Sequence, residues 1–189
     1  MKLAVLGGSL RRESLNRRLL EHLARSLEQR GHDLRTLSGD ALRLPLFAAD
    51  LPAPAEVLAL RDALEGIHGL VIVSPEYNAG IPPHLKNAVD WLSTLAPNPL
   101  KGLPVLLAAA SPGAFGGARA LLSWRPVLAN LGALALPVAI TVPLADKNLD
   151  ANGAPLEARA EGEIQKALAS FLEWTARLRG EPHDPLPPS

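Results

Sequence analysis

Three short segments of the chain concentrate side chains and glycines able to grip a small polar ligand. The first is Gly8-Ser9-Leu10-Arg11-Arg12-Glu13-Ser14-Leu15-Asn16, which follows an apolar run at 3–6. Ser9, Arg11, Ser14 and Asn16 carry hydroxyl, guanidinium and amide donors. A helix beginning here would add main-chain N–H groups without intrahelical acceptors and a partial positive charge. A terminal phosphate dianion needs donors from several sides, and this segment supplies them. Gly7 and Gly8 let the backbone turn tightly beside a ligand. A plainer reading stands next to it, a helix capped by Ser14 with solvated arginines. The second segment is 74–82. Tyr77, the chain's single tyrosine, follows the apolar run 69–73 and can lie against a flat ligand. Asn78 and nearby backbone amides can bond the edge of a heterocycle, and Pro75 and Pro82 stiffen the turn. The plainer reading is a turn with a tyrosine lid. The third segment, 111–117, holds Ser111, Gly113, Gly116 and Gly117. It has room for a planar ligand, or is merely a flexible connection.

Other chemistries find no support. Cysteine is absent, so no disulfide, zinc–thiolate site or thiol nucleophile can form. His22, His32, His68, His84 and His183 never fall at metal-ligand spacing, and no metal is expected. His84 is expected to be simply solvated. No G-x-S-x-G elbow, P-loop or G-x-G-x-x-G occurs. Lys and Arg total 19 against 19 for Asp and Glu, and this neutrality argues against a nucleic-acid binder. With 48% hydrophobic residues the chain can build a core and is not disordered. No apolar run approaches a membrane span, and the first residues lack a signal-peptide pattern. A soluble, cytoplasmic protein without nucleic-acid or membrane partners is expected.

The elements that must position these segments alternate along the chain. Unbroken apolar runs at 3–6, 69–74, 104–110 and 134–142, with a weaker one at 33–37, read as strands covered on both faces. Helical stripes lie between them: Leu15, Leu19, Leu20, Leu23 and Leu27; Val57, Leu60, Leu64 and Ile67; Leu85, Ala88, Val89 and Leu92; Leu121, Trp124, Leu128 and Leu131; and Ile164, Leu168, Phe171 and Leu172. Pro82 and Pro83 open the third helix. Trp91 falls off its stripe, which leaves it either at an interface or on a partly buried flank. A Pro-rich loop covers 44–54 and a polar loop 146–155. The pattern βαβαβαβαβα predicts a doubly wound, five-stranded parallel sheet with helices on both faces. The weak second strand and Pro137 in the fifth suit the edges, hence the order 2-1-3-4-5. In that order the crevice beyond the strand ends is flanked by the loops after strands one and three, with the loop after strand four close by. These are the three segments above. A single domain is expected over 1–180, with a frayed Pro-rich tail at 181–189.

Gly8-Ser9-Leu10-Arg11 with Ser14 and Asn16, Pro75-Glu76-Tyr77-Asn78, Leu85-Lys86-Asn87-Ala88-Val89-Asp90-Trp91-Leu92-Ser93, and Gly116-Gly117 with Arg119-Ala120 together resemble the NADPH-dependent FMN reductase family. The resemblance runs in order over 2–180. That family includes bacterial quinone, azo-dye and chromate reductases. It implies a flavodoxin-like fold, non-covalent FMN, and a homodimer or homotetramer with the flavin near the subunit interface. Carried onto this chain, it places the FMN phosphate on Ser9, Arg11, Ser14 and Asn16, with Leu15 among them. Pro75, Glu76, Tyr77 and Asn78 border the isoalloxazine and ribityl parts, and Ser111, Gly113, Gly116 and Gly117 close the other side. Arg12 stands outside the matched pattern and is expected to face water. The loop 146–153 and the fourth helix are expected near a partner subunit. The stretch Gly80-Ile81-Pro82-Pro83 and the tail depart from the pattern, which bears on substrate access. The implied reaction is ping-pong. NADPH or NADH passes a hydride to flavin N5, and a quinone, azo dye, chromate or free flavin then takes two electrons, with no catalytic side chain. The alternative is an FMN electron carrier of flavodoxin type. Such carriers are strongly acidic, and zero net charge speaks against it. A hydrolase using Ser9 or Ser14 ranks below both, since no histidine is suitably placed.

Overall fold

Three strands with no polar residue to spare build the middle of the molecule, β1 (Lys2–Gly7), β3 (Gly69–Val73) and β4 (Pro104–Ala110). After Lys2 every residue in them is buried, as a parallel sheet covered on both faces requires. The structure, a computed structural model, describes residues 1–11 and 13–180; the expectations about Arg12 and the tail at 181–189 fall outside them. The edges are β2 (Asp33–Ser38) and β5 (Leu134–Val142), and all strands run parallel in the order β2-β1-β3-β4-β5. Pro137 lies in β5 opposite the register shift between Val105 and Leu107. Arg125 covers the carbonyls of Leu136 and Pro137 at 2.9 and 3.0 Å. The edge strand is thereby blunted where a proline cannot donate.

Helices α1 (Leu15–Gln29) and α6 (Ala158–Leu178) cover one face of the sheet. Leu19, Leu23 and Phe171 meet Val5, Val71 and Ala108 there. Helices α2 (Ala55–Leu64), α3 (Pro83–Ser93) and α4 (Ala118–Asn130) cover the other. Leu64, Leu85 and Trp124 meet Leu6, Ile72 and Leu107 there. Successive strand residues point to opposite faces, so each strand serves both cores.

Two connections are more ordered than their composition suggests. The polar loop contains a short helix α5 (Ala145–Asn148), and a bridge between Leu149 and Pro155 closes its turn. The Asp150 carboxylate accepts from the N–H groups of Asn152 and Ala154. The Pro-rich loop folds back over α3. Trp91 is 1% exposed, donates from Nε1 to Pro45 O at 2.8 Å and meets Phe47 edge-on at 5.0 Å. Asn87 accepts from Phe47 N–H at 2.7 Å and donates to Pro45 O at 2.9 Å. Neither expected position for Trp91, an interface or a partly buried flank, is therefore observed. A helical stripe identifies the side facing the sheet, and a loop that covers the other side leaves no periodic mark.

Candidate functional site

Beyond the carboxyl ends of β1, β3 and β4 a cleft of about 490 Å³ opens. It brings together Ser9, Arg11, Ser14, Leu15 and Asn16 from the first segment, Pro75, Glu76 and Tyr77 from the second, and Ser111 from the third. Glu13, Arg18, Ala110, Pro112 and Asp146 also line it and were not anticipated. A signal for Arg18 existed: it follows Ser14 by four residues and shares that helix face. Asn78, Gly113, Gly116 and Gly117 do not line the cleft wall. A second cavity of about 340 Å³ lies between β5 and the start of α6. It contains none of the basic donors, and its Glu157 and Glu163 carry the wrong charge for a phosphate.

The phosphate-like end is built by α1. Ser14 caps it with extended backbone, and its Oγ accepts from Arg17 N–H at 3.4 Å. The capping reading of Ser14 is thus realised, and its hydroxyl hydrogen is still available to donate into the cleft. Asn16 lines the cleft and also makes contacts its sequence position did not show. It is buried, Nδ2 donates to Ala110 O at 2.7 Å, and Oδ1 accepts from Ala110 N–H at 2.9 Å. It ties α1 to the end of β4 and keeps one amide hydrogen free. Arg11 is exposed and Arg18 half-buried, and both line the cleft.

The second segment is a tight turn. Tyr77 and Gly80 exchange two main-chain hydrogen bonds at 3.1 and 2.9 Å. Asn78 and Ala79 between them have φ of 49° and 65°, positive at both central positions as in a type I′ turn. This holds Tyr77 at the cleft, 40% exposed. Glu76, also in the cleft lining, is bonded to α4. Its carboxylate accepts from Arg119 Nε at 2.8 Å, from Arg119 N–H at 3.2 Å and from Arg119 Nη2. An acid at the start of α4 also meets the positive end of that helix. Glu76 therefore fastens the Tyr77 turn to α4.

The glycines of the third segment serve packing. Gly116 has φ +58°, and a Cβ there would lie 2.8 Å from Pro143 N and 2.9 Å from Val142 C. Gly117 has φ +87°, and its Cβ would lie 2.6 Å from Ala109 Cβ. Both conditions demand glycine. Instead of a flexible connection they make a close seat on the ends of β4 and β5. Gly113 is held by its N–H donating to Ser111 Oγ at 3.1 Å.

His84 is not simply solvated. Its Nε2 lies 2.9 Å from Gly8 O and its ring meets Tyr77 at 6.3 Å and 63°. Burial holds its pKa below the ordinary histidine value, and the bond to Gly8 opposes that shift without cancelling it.

The family model described as NADPH-dependent FMN reductase matches residues 1–147. Over 140 residues the chain is 38% identical to a quinone reductase of Escherichia coli, covering 72% of this chain and 73% of that protein. Over 184 residues it is 33% identical to an NAD(P)H-dependent FMN reductase of Pseudomonas aeruginosa, covering 95% and 98%. Among solved structures, FerB, a flavoenzyme NAD(P)H:(acceptor) oxidoreductase from Paracoccus denitrificans, superimposes with a TM-score of 0.80 at 29% identity, over 93% of this chain and 97% of that one.

Proposed function

The chain belongs to the NADPH-dependent FMN reductase family, and on that premise we propose that the cleft beyond β1, β3 and β4 holds FMN by its phosphate and reduces a quinone-type acceptor at the expense of NADPH or NADH. The fold is flavodoxin-like and the chain is an oxidoreductase. The observation that carries the site reading is the meeting of Ser9, Arg11, Ser14 and Arg18 with the first turn of α1 in one cleft whose far walls are Tyr77 and Ser111. The donor chemistry fits a terminal phosphate. Arg11 and Arg18 offer guanidinium groups to a dianion, two hydroxyls and free helix N–H groups can donate to its oxygens, and Glu13 and Asp146 in the same lining temper the positive charge.

FMN held there would supply the redox chemistry, accepting hydride equivalents and donating two electrons. The chain's own residues bind and orient. Arg11 and Arg18 fix the phosphate end. Tyr77 offers an apolar face to a flat ring. The Glu76–Arg119 pair and the strained turn hold that face in place. Gly116 and Gly117 keep the opposite loop low against the sheet, so that a planar acceptor has room to enter. No side chain need act as nucleophile or general base.

Assembly as a homodimer or homotetramer belongs to the same reading. Phe115 and Leu122 are 69% and 64% exposed, on the loop before α4 and on α4 itself. A face of that kind suits a partner copy. A light-scattering mass of about one chain at micromolar concentration would count against it.

The functional test begins with release of the flavin by heat and its identification. FMN is expected; FAD as the native flavin would overturn a site built around a terminal phosphate. Initial rates with a quinone and with each nicotinamide should give parallel double-reciprocal lines. Intersecting lines would refute alternating use of one face, and lack of quinone turnover would refute the acceptor class.

A further inference from the structure

We propose that His84 is a positioning residue for the phosphate end of the cleft, acting through the Gly8–Ser9 peptide; the inference rests on the cleft being an FMN site. His84 is the second residue of α3, on the face of the sheet opposite α1. Its Nε2 lies 2.9 Å from Gly8 O. A carbonyl only accepts, so Nε2 carries the proton. Gly8 is gripped from a second side, its N–H donating to Val73 O at 2.9 Å. A Cβ at Gly8 would lie 2.1 Å from Leu85 Cδ1. The helix therefore packs directly on this piece of backbone, which is how a side chain from its first turn reaches the carbonyl.

A trans peptide is planar, and its C=O and N–H point in opposite directions. With Gly8 O turned to α3, the N–H of Ser9 turns to the α1 side. That is the side where Ser14, Arg18 and the first turn of α1 line the cleft. Without a partner for Gly8 O this peptide could rotate with little hindrance, because Gly8 has no Cβ. The donated bond from His84 holds the orientation. The same imidazole meets the ring of Tyr77, so one side chain touches both the phosphate loop and the tyrosine turn.

The test compares binding of FMN and of riboflavin, which lacks the phosphate, to apo-protein by quenching of flavin fluorescence. Wild type, His84→Phe and His84→Gln are measured. Phenylalanine keeps a ring against Tyr77 and removes the donor; glutamine keeps an N–H donor. Wild type should prefer FMN. His84→Phe should lose about tenfold in FMN affinity, the effect of one charge-assisted bond, with riboflavin changed less than about twofold. His84→Gln should retain most of the preference. Equal losses for the two flavins in His84→Phe, no loss, or the same loss in His84→Gln would each overturn the positioning role and leave the cleft reading standing. A wild type that binds riboflavin as tightly as FMN would overturn the phosphate reading, and this inference with it. If apo His84→Phe does not fold, His84→Ala takes its place in the comparison.

Discussion

Asn16 on α1 satisfies both main-chain groups of Ala110, donating to its carbonyl at 2.7 Å and accepting from its N–H at 2.9 Å. Ala110 is the last residue of β4. Its polar groups point to the β3 side, as those of Ala108 do, but β3 ends at Val73, paired with Ala108. The carboxamide of Asn16 stands in for the missing strand. Together with the bond from Ser111 N–H to Val142 O at 3.1 Å, it gives the loop that begins at Ser111 a fixed start.

Replacing Asn16 by Ala should lower the stability of the apo-protein by about 2–4 kcal/mol, since a buried donor and a buried acceptor both lose their partner. Urea unfolding without flavin measures this. A loss below about 0.5 kcal/mol, typical of surface changes, would show that the clamp contributes nothing to the fold.

Arg11→Ala should behave in the opposite way. Its exposed guanidinium makes no contact the fold needs, so apo stability should stay within about 0.5 kcal/mol. FMN affinity should fall roughly 10- to 150-fold, the loss of one charge-assisted bond. With saturating FMN, turnover should largely recover. Lys166→Ala, on the exposed face of α6 where Lys166 pairs with Glu163 at 3.0 Å, is the control and should leave flavin affinity unchanged. Equal affinities in wild type and Arg11→Ala would remove Arg11 from the phosphate site.

Ala79 has φ +65° in the Tyr77 turn. A left-handed conformation costs a residue with a Cβ about 1–2 kcal/mol, partly offset by the greater freedom that glycine loses on folding. Ala79→Gly should therefore stabilise the protein by about 0.5–1 kcal/mol. A thermal melt of the apo-protein shows it as a rise in Tm. A fall in Tm would mean that the alanine methyl makes a contact worth more than the strain.

The His84 pKa lies below about 6.5, the value expected in the unfolded chain. Above both values the residue is neutral in either state, and the fold is unaffected. As pH falls through the unfolded value, the unfolded chain binds the proton first, and stability drops until the folded value is passed. His32 has the same sign, lowered by burial and then by the N-terminal ammonium and Arg30. The difference between wild type and His84→Gln isolates one of them. Between pH 7 and pH 5 the wild type should lose more stability than His84→Gln in chemical denaturation. An equal or smaller loss would contradict the burial of His84.

The sheet was legible in the chain because burial on both faces leaves continuous apolar runs, and a weak or proline-bearing run such as 33–37 or 134–142 marks an edge. The loops that meet at the cleft were legible because a parallel strand ends in a loop, and here those loops hold Arg11, Tyr77 and Ser111. What those residues are bonded to was not legible. Asn16 meets Ala110 94 residues away, Glu76 meets Arg119 across two elements, and Trp91 is covered by a loop 46 residues before it. Hydrophobic periodicity reports which side of an element is apolar. It carries no record of which distant backbone group a polar side chain will find, since that depends on how the layers close. His84 shows the limit most clearly. As a residue in a first helical turn it reads as solvated, and only the close approach of α3 to Gly8, possible because Gly8 has no side chain, turns it into a partner of the loop that faces the cleft.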